Sequence, residues 1–229
     1  MKIITNNINQ KEALFAGIFY FILAVTGLFS LMYALPQIKI DGNITQTILN
    51  INENSFLFRI GIVSTLIMNI VSILLVIYLY KLLSKINKTM ALSMLVIMLF
   101  GAIISAINEL NHFAMIIINN SESYTTIEKQ NLTQLFAEIQ KHGSYIAVIF
   151  WGLWLFPLGR LIYKLGTRLS QFIGIMLLIA GTGYLLDSFF LFVYPNMNIP
   201  SVSDYTSWGE IILMFWLLFK SKHIGQLVK

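Results

Sequence analysis

Residues 58–83 read FRIGIVSTLIMNIVSILLVIYLYKLL. This stretch carries only two charges, Arg59 near its start and Lys81 near its end. A membrane-crossing helix needs about 20 mostly apolar residues, because the hydrocarbon core is about 30 Å thick. Lipid offers the backbone no hydrogen-bond partner, so a run of this length must bond internally as a helix. Barrel strands would show segments of about ten residues with alternating polarity, a pattern this stretch lacks.

Working outward, five further runs have the same character: 13–35, which stops at Pro36, then 90–118, 132–163, 169–194 and 205–219. The fold expected is an all-α polytopic bundle of six transmembrane helices, forming one domain over residues 1–229. Composition agrees with it. Hydrophobic residues make up 57% of the chain and charged residues 11%, against roughly 25% charged in soluble proteins. A soluble globule could not keep that much apolar surface from water. The absence of cysteine excludes a disulfide framework, a thiolate nucleophile and a thiolate metal site. The first run is too long for the apolar core of a signal peptide and lacks a small-residue cleavage site, so it is expected to be retained.

The net charge of +5 is a topology signal and does not suggest a nucleic-acid partner. Lys2 and Lys11 precede the first run, and Lys81, Lys85 and Lys88 lie between the second and third. Arg160, Lys164 and Arg168 lie between the fourth and fifth, and Lys220, Lys222 and Lys229 follow the sixth. Eleven of the 15 basic residues therefore fall on one side, with Glu12 the only acid beside them. The positive-inside rule then puts both termini in the cytoplasm. The outer connections are more polar. Ile44, Ile48 and Ile51 repeat at helical spacing, which suggests a short helix on the outer surface. Residues 124–141 read as an extension of the fourth helix above the membrane.

Four strings carry a resemblance. They are FRIGI at 58–62 with IYLYKLL at 77–83, FWGLWLFPLG at 150–159, and GIMLLIAGTGYLLD at 174–187. In order and spacing the chain resembles a bacterial membrane family known as domain of unknown function 4386. The resemblance spans nearly the whole chain and implies a proline-containing turn before the fifth helix, where residues 166–171 have none. It implies no activity and no functional residues.

Ionisable residues inside a membrane are functional candidates by default. Counting about 1.5 Å per residue from the cytoplasmic cations puts Arg59, Glu109, His112, Glu138, His142 and Asp187 roughly 27–36 Å up, at the outer interface. Glu210 and Asn69 come out near mid-membrane, at roughly 15–18 Å. Glu109 and His112 are three residues apart, and Glu138 and His142 are four apart, so each pair shares a helix face. Two imidazoles and two carboxylates on neighbouring antiparallel helices would suit a divalent metal. Asp187 would be a further ligand or would orient a histidine. A plain His–Glu hydrogen bond, or solvated interfacial side chains, explains the same spacing without a metal. Glu210 is expected to face the interior and pair with Asn69, Tyr184 or Trp208. Gly152, Gly159, Gly174, Gly181 and Gly183 are expected at close helix contacts.

These residues suggest a protein that binds a small molecule or lipid in an outward-facing polar pocket, with Arg59, Asn69, Asp187 and Glu210 among its lining residues. An intramembrane metal-dependent hydrolase, a transporter and a non-catalytic partner subunit are the alternatives. No hydrolase triad order, HExxH or phosphate loop appears, and catalysis is the less favoured reading.

Overall fold

The computed structural model describes residues 2–195, 197 and 199–228. Among them there is no strand. The helices are α1 (Lys2–Gly27), a π-helical segment (Leu28–Ala34), α2 (Leu35–Ile38), α3 (Ile44–Glu53), α4 (Ser55–Leu83), α5 (Lys88–Asn108) and α6 (Leu110–Asn120). They are followed by α7 (Thr126–Leu153), α8 (Leu155–Tyr163), α9 (Arg168–Val193), α10 (Ser203–Thr206) and α11 (Trp208–Leu227).

Five continuous helical stretches are long and apolar enough to cross a membrane: Asn9–Ile38, Ser55–Leu83, Lys88–Asn120, Thr126–Tyr163 and Arg168–Val193. The sixth expected span corresponds to α10 and α11. Its apolar run is short, since Glu210 lies near one end of α11 and Lys220 and Lys222 near the other. The first span passes Pro36 and ends at Ile38, beyond its expected limit. Pro36 falls in the first turn of α2, directly after the π-helical segment, where the regular ladder has already changed its step.

Polar caps set several helix starts. The Asn43 side chain accepts from Gln46 N at the head of α3. Asn87 Oδ1 accepts from Met90 N at the head of α5. Thr125 and Glu128 exchange hydrogen bonds at the head of α7. The turn before α9 works without proline. Gly166 takes φ +79°, a conformation glycine adopts without strain, and Thr167 and Ser170 form a reciprocal capping box.

The chain divides into two compact units. Unit 1 comprises Met1–Phe21, Val71–Ala102 and Tyr145–Lys229, and unit 2 comprises Ile22–Ile70 and Ile103–Ser144. In unit 1, the end of α7 and α8 pack along α9 through paired glycines, Gly152 on α7 and Gly159 on α8. A Cβ on Gly152 would meet the Gly181 carbonyl at 2.9 Å, and one on Gly174 would meet the Gly159 carbonyl at 2.6 Å. Gly152 and Gly159 are seven residues apart, as are Gly174 and Gly181, so one antiparallel register brings both contacts together. Backbones approach this closely only where no side chain intervenes. Trp154 separates α7 from α8, three residues before Pro157. Proline supplies no N–H to the preceding turn, which accounts for the interruption.

In unit 2 the core is formed by Leu35, Ile38, Ile51, Phe58, Ile62 and Met115. The amphipathic α3 turns Thr47 and Ile51 inward. The π-helical segment lies against α4, where Ser30 Oγ donates to the Gly61 carbonyl at 2.9 Å and meets Thr65 Oγ1 at 2.6 Å. Glu109 separates α5 from α6, and its N–H bonds Ala106 O three residues back.

Candidate functional site

Unit 2 holds the most connected polar cluster that includes expected site residues. The interruption at Glu109 leaves the side-chain spacing to His112 intact. His112 Nδ1 lies 2.8 Å from Glu109 Oε2, with side-chain exposures of 0% and 4%. With Glu109 as a carboxylate, which only accepts, Nδ1 carries the proton in this bond. In the neutral ring Nε2 is then an acceptor. That atom is buried without a hydrogen-bond partner. The Phe58 ring stands edge-on to the imidazole, 5.4 Å away at 79°.

Beside this pair runs a chain of amides. Asn108 Nδ2 donates to the Gln140 carbonyl at 2.8 Å and to Ser144 Oγ at 3.1 Å. Asn111 Nδ2 donates to Asn108 Oδ1 at 2.9 Å. Gln140 Nε2 donates to Ser144 Oγ at 3.0 Å, and its Oε1 accepts from Lys39 Nζ at 2.7 Å. Burial pulls the Lys39 ammonium below its ordinary value, while Asp41, Glu138 and Glu109 oppose that pull. Asn69 is also buried in this unit and donates to Ser105 Oγ at 3.1 Å.

The expected four-residue metal set is not assembled. Glu138 and His142 are exposed. Glu138 Oε1 accepts from Gln134 Nε2 at 3.0 Å, and His142 Nδ1 donates to the main-chain carbonyl of Glu138 at 2.9 Å. Among the described residues, no three of His, Cys, Asp and Glu gather closely enough to hold an ion. Equal depth along two helices does not fix the direction in which their side chains point. Arg59 is exposed.

Asp187 and Glu210 belong to unit 1 and have separate partners. Asp187 accepts from Ser201 Oγ at 2.9 Å, Val202 N at 2.6 Å and Ser203 N at 3.0 Å. It therefore ties down the chain entering α10. A small cleft of about 90 Å³ lies here, lined in part by Tyr145, Asp187, Tyr194 and Ser201. Glu210 accepts from Tyr20 Oη at 2.7 Å and Tyr184 Oη at 2.8 Å. Of its expected partners, Tyr184 is found, while Asn69 bonds Ser105.

Sequence reading passed over Lys39, Asn108, Gln140 and Tyr20. Ser105, Asn108 and His112 recur at spacings of three and four, which was the available signal for Asn108. Lys39 lies in an outer connection and carried no such pattern.

A relative described as an uncharacterized protein of Archaeoglobus fulgidus is 34% identical over 83 residues, covering 36% of this chain. The match takes in 49% of that protein, so the chain spans about half the length of its relative. No solved structure matches the chain. A family model described as Domain of unknown function (DUF4386) matches residues 15–221, and the chain, helical and with five membrane-length stretches, belongs to that family.

Proposed function

We propose that the chain is a six-span inner-membrane protein with both termini in the cytoplasm, and that it binds a small amphipathic molecule or lipid in unit 2. The carrying observation is the buried, partnerless Nε2 of His112. An orphaned buried acceptor costs about 1–3 kcal/mol, and a ligand bringing a hydroxyl or N–H would remove that cost. Glu109 fixes the ring so that Nε2 is the nitrogen presented. Lys39 supplies a cation within the same polar cluster.

The cleft beside Asp187 is a poorer candidate. Its volume of about 90 Å³ is small beside the roughly 300–1,000 Å³ of sites for larger ligands. Entry to unit 2 would use its two interrupted helical ladders, at Glu109 and at Leu28–Ala34, since such irregularities concentrate where helices must yield. No specific observation favours the hydrolase, transporter or partner-subunit readings over this one.

Native mass spectrometry tests the binding. Purified protein is stripped of lipid and offered phosphatidylethanolamine and phosphatidylglycerol separately. One retained lipid is expected on the native chain and none on His112→Phe, which keeps the ring's bulk. Equal retention by both proteins refutes the site. Orientation is tested by labelling, which the cysteine-free chain makes simple. A membrane-impermeant maleimide should reach Ser123→Cys in intact cells, and Lys222→Cys only after permeabilisation. The reverse pattern refutes the topology.

A further inference from the structure

Glu210 stands near the head of α11, immediately after Gly209, whose missing side chain lets the backbone press on α9. A Cβ there would lie 2.7 Å from the Met176 carbonyl carbon. This contact sets the carboxyl between two helices that each contribute a tyrosine. Tyr20 of α1 donates to Oε2 at 2.7 Å, and Tyr184 of α9 donates to Oε1 at 2.8 Å. Tyr20 is itself backed by Trp154, with ring centroids 6.4 Å apart. Asp187 on α9 and Asp204 on α10 are the further charges that bear on Tyr184. Among the described residues, no Lys or Arg is within ion-pair distance of Glu210.

Two protonation states compete here. As a carboxylate, Glu210 accepts from both tyrosines, and the N-terminal end of α11 favours its negative charge. It still lacks a counter-ion in a segment read as membrane-spanning, and such a charge is costly. As a carboxylic acid it has no charge, but it must donate its own O–H. A tyrosine oxygen can accept as well as donate, so rotation of one hydroxyl provides the acceptor. That tyrosine's hydrogen then loses its own partner, a cost of the same order. The same three side chains accommodate both states with no movement of heavy atoms.

We propose that Glu210, clasped between Tyr20 and Tyr184, is a reversible proton-binding site within unit 1. The proton is taken from water and returned to it. One O–H bond forms or breaks on the carboxyl, and no other covalent change is needed.

Infrared difference spectroscopy on the purified full chain in nanodiscs, titrated over the pH range in which it stays folded, tests this. The expected result is a protonated-carboxyl C=O band that grows on acidification and is absent from Glu210→Gln. In Tyr20→Phe or Tyr184→Phe that band should persist and move to higher wavenumber, because one hydrogen bond to the group has been removed. The tyrosine variants keep the test decisive if Glu210→Gln fails to fold. Identical titrations of the native chain and Glu210→Gln overturn the proposal, as does a band unmoved in both tyrosine variants. A response to sodium at constant pH in place of a response to pH would show a metal-cation site and also overturns it.

Discussion

Gly143 and Asn108 share one space in unit 2. A Cβ on Gly143 would fall within the Asn108 carboxamide, and that carboxamide links α5 to the Gln140 carbonyl and Ser144 on α7. Gly143→Ala should therefore expel the amide and destabilise the protein by about 1–3 kcal/mol, the usual range for overpacking. Unfolding in detergent micelles reads the loss. Combining it with Asn108→Ala should recover part of that loss, since the clash disappears. A double variant as unstable as the sum of the singles would show that the two residues do not compete.

The Glu109–His112 pair should show strong coupling. Removing one partner strands the other, at about 1–3 kcal/mol. Replacing both with apolar groups of similar shape can be nearly neutral. Glu109→Leu alone and His112→Phe alone should thus each lower the unfolding midpoint, and the double variant should lose less than their sum. The check is a double-mutant cycle by thermal unfolding. Strict additivity would mean that the 2.8 Å contact contributes no coupling.

Lys39 gives stability a pH dependence of known sign. Burial lowers its folded value from the ordinary 10.5, so the unfolded chain binds the proton more tightly. Where the unfolded state holds more protons, stability rises with pH. Its contribution should therefore improve as pH climbs from the folded value towards 10.5. Lys39→Gln should flatten the slope in that window. Midpoints measured at several alkaline pH values test this, and an unchanged slope in the variant refutes it.

The α8–α9 seam should be intolerant of added atoms. Gly174→Ala would drive a methyl to 2.6 Å from the Gly159 carbonyl, and backbone cannot swing aside as a flexible side chain can. The expected loss is about 1–3 kcal/mol or more. Gly42→Ala is a control of another kind: open space surrounds that position, but its φ is +75°. It should cost only the strain of a left-handed backbone, about 1–2 kcal/mol. Paired unfolding curves compare the two, and a harmless Gly174→Ala would refute the close-packed seam.

The apolar runs were legible because hydrophobicity over about 20 residues is a one-dimensional property. The interruptions were not. Glu109 and the π-helical segment depend on which neighbour each turn meets, as Ser30 meets Gly61 and Thr65. The same limit governs the site. Spacing found the Glu109–His112 bond, but equal depth did not bring Glu138 and His142 to it: among the described residues the two pairs do not gather into one set, and His142 Nδ1 bonds its own helix's carbonyl at Glu138. Depth along a helix says nothing about azimuth. Tyr184 was recognisable as a partner for Glu210, whereas Tyr20 lies 190 residues away in sequence and shares no pattern with it.

The widened turn at Leu28–Ala34 gives the first span one place where a shortening can be absorbed. A π turn holds about one residue more than an α turn of the same helix. Deleting a single residue there would let the coil tighten to an ordinary α-helix, and what lies beyond would keep nearly the same face. Leu35 and Ile38 would stay in the core. A deletion in the regular helix before it, at residues 13–27, finds no such slack and would rotate everything up to the π segment by about 100°. The segment holds one residue in reserve, so the span should tolerate a loss between Gly27 and Leu35 that it would not tolerate in its regular turns.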